Sequence, residues 1–206
     1  HEKFLKFEGA KDQPGNTIKY REDPILLDPR NKDLGARLII NLEKLYLSLK
    51  KLELKDSPIA EYYELSHELG IAQKEMNKLQ NKLFGIECNF EELNGIDFKK
   101  GCYTGQEIVA RMQYLGKLKR HLFIGQVHSS QAVMVGQQID ANKRKNVGRI
   151  TSAAPNGEHT YRFTAVINRT EAQAEELHLH EQDKSIISLS PLPYEIDPQV
   201  FERIKL

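Results

Sequence analysis

The chain has 206 residues, 39% hydrophobic and 29% charged, a composition that suits an ordinary globular protein with one large domain or two small ones. Thirty Lys and Arg face 29 Asp and Glu, so the formal net charge of +1 names no partner and any electrostatic argument has to be local. No apolar run is long enough to span a bilayer and no signal-peptide pattern opens the chain. The two cysteines, Cys88 and Cys102, are too few for a structural zinc site.

The pattern in chain order reads as follows. Lys3–Phe7 and Thr17–Leu27 are β-type runs separated by the turn-rich KDQPGN, and Arg37–Ile40 is a further strand after the breaks at Asp28–Pro29 and Gly35. Leu42–Leu54 is apolar and Lys-rich, hence helical. Ser57–Pro58 is a helix start, with Ser57 as N-cap and Pro58 in the first helical position. Tyr62, Leu65 and Leu69 then fall on one helical face, and Gly70 is placed to cap the C-terminus. Gln73–Phe84 is a second helical or loosely ordered piece closed by Gly85, and Glu87–Asn94 is a polar connection. A helix runs from Gly105 to Leu115. After Lys117 come six short β-type runs: HLFIGQVH, GQQID, VGRITSA, TYRFTAVIN, EELHLH and SIISLSP. Strands this closely spaced predict a small antiparallel barrel or sandwich, with a domain boundary near residues 116–120.

The stretch with most chemical content is FKKGCYTGQEIVARM, Phe98–Met112. Thr104 and Glu107 have the T-x-x-E spacing of a capping box, which starts the helix at Gly105 and sets Cys102 just before it. A helix N-terminus and the neighbouring Lys99 and Lys100 favour a thiolate, so Cys102 reads as a reactive cysteine. Gly101 and Gly105 permit turns or a close approach by a ligand. The competing reading is a small, buried core cysteine. No His–Asp or His–Asn partner is demonstrable beside it, so a protease-like triad has no support.

These residues carry a resemblance. KGCYTGQE at Lys100–Glu107, followed by Arg111, resembles the signature of the YgfZ-type folate-binding proteins. That family is related to the aminomethyltransferase of the glycine cleavage system and includes mitochondrial iron–sulfur assembly factors. DPR at Asp28–Arg30 with LGAR at Leu34–Arg37, ELSHELGI at Glu64–Ile71, LFGIECNFEELNGIDF at Leu83–Phe98 and SPLPYEI at Ser190–Ile196 resemble further family elements. The resemblance implies an α+β fold. Residues 1–116 would be a partial ferredoxin-like, aminomethyltransferase-type folate-binding domain, and residues 117–206 a small β-barrel domain and tail. Family members usually carry about a hundred more residues, a domain's worth, before the DPR element. The chain, which opens on His1 rather than Met, therefore reads as the C-terminal two-thirds of such a protein.

The resemblance also implies roles. Cys102 is the family's cysteine, acting as reactive thiolate or transient ligand, with Lys100 and Arg111 in support. Tyr62 would stack on the pterin of tetrahydrofolate or a folate derivative, Glu68 would hydrogen-bond its edge, and Gly101, Tyr103, Gln106 and Glu107 would complete the folate side. The sequence departs from the family in having no Trp, in Ala72 for the proline of GIP, and in Ser66–His67 where an arginine is usual. The function implied is a folate-binding accessory protein of iron–sulfur cluster assembly or repair and, through it, tRNA modification. It would not be a classical enzyme, and it would act on iron–sulfur proteins or cluster-carrying enzymes in the cytoplasm, away from membranes. The alternative is a folate-dependent aminomethyl transferase.

Among the other residues, Glu68 and His67 by themselves read as solvated, Cys88 as packed, and His178 and His180 as a solvated strand face, with no metal expected. Arg30 and Arg37 either clamp an acidic ligand or pair with Asp28 and Asp33. Lys143–Arg144–Lys145 with Arg149 forms an anion-attracting patch if the side chains converge. Direct RNA binding is the less favoured reading, because aromatic residues are not interleaved with the basic ones.

Overall fold

The computed structural model describes residues 1–73, 75–114, 118–174 and 176–196. The chain divides into two compact units, His1–Leu65 and Ser66–Leu206. Among the described residues no helix is long and apolar enough to cross a membrane. The expected end of the cysteine-loop helix at Leu115 and part of the expected domain boundary fall on residues 115–117, outside the described residues.

The first unit holds α1 (Glu2–Leu5) and three antiparallel strands in the order β1 (Thr17–Tyr20), β2 (Asp23–Leu27), β3 (Ala36–Leu38). Lys3–Phe7 is thus mainly helical, not a strand. Phe4 and Phe7 lie three apart, a spacing that shares a face on a helix and not on a strand, and both pack with Tyr20, Ile25 and Leu27. Phe7 meets Tyr20 edge-on at 5.4 Å. The single run expected over Thr17–Leu27 is a hairpin in register Tyr20↔Asp23. Its two turn residues, Arg21 and Glu22, have φ of 51° and 71°, as the tightest hairpin turns require. Neither is Gly or Asn, so the turn left no compositional mark. After β3, Asn41 caps α2 (Leu42–Lys51) by accepting from the Lys44 amide at 2.9 Å. α3 (Ile59–Glu68) starts one residue later than the Ser57–Pro58 signal placed it, and the Ser57 hydroxyl donates to the Glu61 carboxylate.

The second unit is organised by a closed barrel of six strands, in the order β4 (Arg120–His128), β7 (Thr160–Asn168), β6 (Arg144–Pro155), β5 (Gln138–Ala141), β8 (Leu177–Leu179), β9 (Gln182–Ser190). The short helix α5 (Arg169–Ala174) leads from β7 towards β8. All six β-type runs read from the sequence are strands, and the mixed helix–sheet class with an antiparallel barrel holds. Ile139, Ile150, Phe163, Ala165, Ile167 and Leu179, each fully buried, fill the barrel. β4 and β9 close it through Ile124↔Ser190 to Val127↔Ile187. At Gly125 a Cβ would sit 2.5 Å from the Ser188 carbonyl oxygen, so glycine is needed where these strands meet.

The segment after α3 covers an outer face of this barrel. α3 ends as a Schellman motif: the Ile71 amide donates to Ser66 C=O at 2.8 Å, the Gly70 amide to His67 C=O at 3.1 Å, and Gly70 has φ +65°. Gly70 is also bound sterically, since a Cβ there would come within 3.0 Å of Leu192 and Tyr194 in the SPLPYEI segment. The piece expected as a helix over Gln73–Phe84 has a 3-10 turn at Met76–Leu79, and Gly85 opens a second one, Gly85–Cys88, rather than closing a helix. Glu87–Asn94 is not a polar connection. Glu87, Cys88, Asn89 and Leu93 are buried, and Cys88 packs with Leu122 and Val166 on the barrel, flanked by Ala72, Met76 and Leu83. The polar residues of this run look inward because the barrel supplies their partners.

Candidate functional site

Phe98 anchors the start of the cysteine stretch by packing with Ile86, Ile96, Leu118 and Met112. Met112 lies on α4 (Gln106–Tyr114), so this cluster holds the loop at both ends. Between them Cys102 is exposed and unpaired. The core-cysteine reading therefore fails for Cys102 and holds for Cys88, whose thiol is pushed up to about 12 by burial and then by the Glu87 charge. The Lys100 ammonium sits 4.4 Å over the Tyr103 ring, a cation–π contact that ties together the residues flanking Gly101 and Cys102. Gly105 has φ +88° and so permits the turn into α4. The expected capping box does not form, because the helix begins at Gln106 and Glu107 falls one position short of the third helical residue. Glu107 pairs with Arg111 at 2.9 Å on the exposed surface of α4. An exposed thiol on a glycine-flanked loop is a soft ligand and a nucleophile open to a partner.

Glu68 has a different setting. It pairs with Arg162 of β7 and, with His67, Gln126, Phe163 and Ser190, lines a cavity of about 250 Å³ beside β4. His67 is not solvated. It is 2% exposed and shares a 2.8 Å hydrogen bond between Nε2 and the Ser152 hydroxyl of β6. Hydropathy could not find it, since His67 is polar and lies off the Tyr62–Leu65–Leu69 stripe, while the partner Ser152 is 85 residues away. The wall of this cavity offers a carboxylate, a guanidinium, an amide and a hydroxyl with one aromatic ring. It would fit a hydrogen-bonding ring system such as a pterin head but is smaller than the roughly 300–1,000 Å³ of drug-sized pockets. None of its described lining residues comes from the Lys100–Arg111 stretch.

Tyr62, in the first unit, belongs to an arginine cluster. Asp28, 1% exposed, takes Arg30 through two side-chain bonds of 3.0 and 2.8 Å and Arg37 through one of 2.7 Å. Both guanidinia also donate to the Tyr62 oxygen, at 3.4 and 3.2 Å. Burial pushes the Asp28 carboxyl up, but the hydrogen bonds and charge of Arg30, with Arg37, outweigh it and hold the group below the usual carboxylate value. Asp33 pairs with Lys32 instead. Of the two histidines expected to be solvated, His180 binds Asp140 at 2.6 Å. The basic group partly converges. Lys143, Arg144 and Lys145 line one cavity with Asp140 and His180, while Arg149 lines another with Lys82 and Arg120.

A residue missed in the sequence is Asn89. It is fully buried, with φ +57°, and its side-chain amide pairs with Leu122 as an adjacent strand would. Oδ1 accepts from the Leu122 amide at 3.3 Å and Nδ2 donates to the Leu122 carbonyl at 3.1 Å. Nδ2 also donates to the Tyr194 hydroxyl at 3.1 Å, and that hydroxyl donates to Gly70 C=O at 3.0 Å. One side chain thus joins the barrel, the C-terminal PLPY element and the cap of α3.

The site thus presents an exposed thiol on a glycine-flanked loop, beside a barrel whose outer face is covered by a buried Asn-centred segment. No protein-family model matches the chain. It is 35% identical over 111 residues to the tRNA-modifying protein YgfZ of Yersinia enterocolitica, covering 52% of this chain and 34% of that protein. It is 38% identical over 111 residues to YgfZ of Pectobacterium carotovorum, covering 52% and 33%. To the mitochondrial iron–sulfur cluster assembly factor IBA57 homologue of Dictyostelium discoideum it is 36% identical over 102 residues, covering 48% and 24%. The similarity is to the YgfZ-type family, and the resemblance read from the cysteine stretch is borne out. The match spans about a third of the length of the YgfZ relatives and about a quarter of the IBA57 homologue.

Proposed function

We propose that this chain forms part of a folate-binding accessory protein that supports iron–sulfur cluster assembly or repair and, through cluster-carrying enzymes, tRNA modification. The observation that carries the reading is the exposed, unpaired Cys102 within a stretch, Lys100–Glu107, that resembles the YgfZ signature. In this reading residues 1–116 are a partial aminomethyltransferase-type, ferredoxin-like domain and residues 117–206 the barrel domain and tail. Cys102 acts as a thiolate or transient ligand, with Lys100 and Arg111 beside it. Tyr62, Glu68, Gly101, Tyr103, Gln106 and Glu107 serve a tetrahydrofolate or related folate. The hydrogen-bonding cavity at Glu68 supports one end of that assignment, where a pterin edge would find a carboxylate. Bound folate would supply one-carbon chemistry, while the chain's own part is to hold the ring edge and present the thiol. The partners are cluster proteins or cluster-carrying enzymes. The relatives named above are a tRNA-modifying protein and a cluster assembly factor, so a transferase reading gains nothing from them. Two free thiols suit a reducing compartment, read as the cytoplasm; the mitochondrial setting of the Dictyostelium relative would suit them equally.

The test is restoration of a cluster-dependent tRNA modification in cells lacking their YgfZ protein. Cys102→Ala is expected to abolish restoration while leaving the fold intact, as an exposed side chain should change stability by no more than about 0.5 kcal/mol. Restoration by Cys102→Ala at the level of the unaltered chain would refute the cysteine's role. Calorimetric titration with tetrahydrofolate tests the folate arm separately.

A further inference from the structure

Lys82, Arg120 and Arg149 come from three separate parts of the second unit and line one cleft of about 270 Å³ with Asn146, Val147 and Gly148. Arg120 is a prepared fork. Its Nε and Nη2 each lie 2.8 Å from Glu87 Oε1, and Glu87 is in turn held by the Phe84 amide at 3.1 Å. Arg149 is steadied by donating to Gly136 C=O at 3.0 Å. Lys82 is exposed and carries no ion pair among the described residues, which leaves it free to swing over the cleft. One arginine is enough to neutralise the buried Glu87. The other two cations are surplus to that pair, and an anion seated among them would offset their mutual repulsion.

We propose that this cleft binds the dianionic phosphate of a small phosphate ester. Three positive groups less one carboxylate leave a net charge of about +2, matching the roughly −1.5 to −2 of a phosphate monoester near neutral pH. Two guanidinia and an ammonium also supply donors to three phosphate oxygens, whereas a carboxylate offers two oxygens and a single charge. The volume holds a phosphate and the first atoms of its ester. Nothing in the folate assignment uses these residues.

The probe is inorganic phosphate, titrated into the whole chain by calorimetry at constant ionic strength, with γ-glutamylglutamate as the carboxylate arm. Saturable phosphate binding is expected, weakening by about a hundredfold or more in Lys82→Gln/Arg149→Gln, since the double variant removes two charge-assisted hydrogen bonds. Lys78→Gln, whose lysine pairs with Glu75 outside the cleft, should bind as the unaltered chain does. Affinity should fall between about pH 7.5 and pH 5.5 as the phosphate takes up its second proton. Circular dichroism of the double variant separates lost binding from lost fold, and Lys82→Gln alone, at an exposed side chain, provides a second reading. No saturable binding, undiminished binding in a folded double variant, or equal affinity for γ-glutamylglutamate would each overturn the proposal.

Discussion

Asn89 is the sharpest place to perturb the second unit. Replacing it by Ala strips partners from both the amide and the carbonyl of Leu122, at a position where β9 offers none because its pairing with β4 begins at Ile124. A buried backbone group left without a partner costs about 1–3 kcal/mol. Alanine must also hold the left-handed conformation at φ +57°, which costs about 1 kcal/mol more. With two such groups at Leu122, the sum for Asn89→Ala is about 3–7 kcal/mol, a large fraction of the roughly 5–15 kcal/mol that keeps a domain folded. Asn89→Gly keeps the backbone freedom and loses only the hydrogen bonds, so it should be the milder change by about 1 kcal/mol. Urea unfolding, followed through hydrogen exchange of barrel amides, measures both. Protection of the Leu122 amide should fall first. A loss below about 0.5 kcal/mol for Asn89→Ala, or a Gly variant less stable than the Ala one, would refute this account.

Two further outcomes follow from burial and charge. Burial, with the nearby charge of Arg169, lowers His121 to about 4 from an ordinary 6.5. The unfolded chain therefore binds a proton the folded one refuses, and stability is complete above pH 6.5 and declines as pH falls towards 4, by up to about 1.4 kcal/mol per unit. Asp28, held below 3.8, adds its own loss only at more acid pH. His121→Gln should flatten the upper window, and an unchanged slope would contradict the assignment. For the thiols, a disulfide-exchange reagent at mildly alkaline pH should react rapidly with Cys102 and reach Cys88 only on unfolding; two rapid reactions would show the Cys88 segment to be open.

The barrel was legible because its strands are apolar-patterned runs bounded by turn signals, so the pattern needs no distant partner to be recognised. The cap at Gly70 was legible for the same local reason. Arg21–Glu22 was not, since a left-handed pair without Gly or Asn is chosen by the strands on either side of it. α1 was lost because its run is too short to show a period: the three-residue spacing of Phe4 and Phe7 suits a helix, and packing against Tyr20 bears that out.

The site divides in the same way. The sequence by itself determined the cysteine motif, the family resemblance it carries and the six strands, because these depend on residue identity and local spacing. Tertiary structure alone decided that Cys102 is exposed while Cys88 is buried. It also turned the polar residues His67, Glu87 and Asn89 inward and gathered Lys82, Arg120 and Arg149 into one cleft. Burial and charge convergence depend on residues tens of positions apart, and a polar side chain turns inward only when such a residue supplies its hydrogen bond.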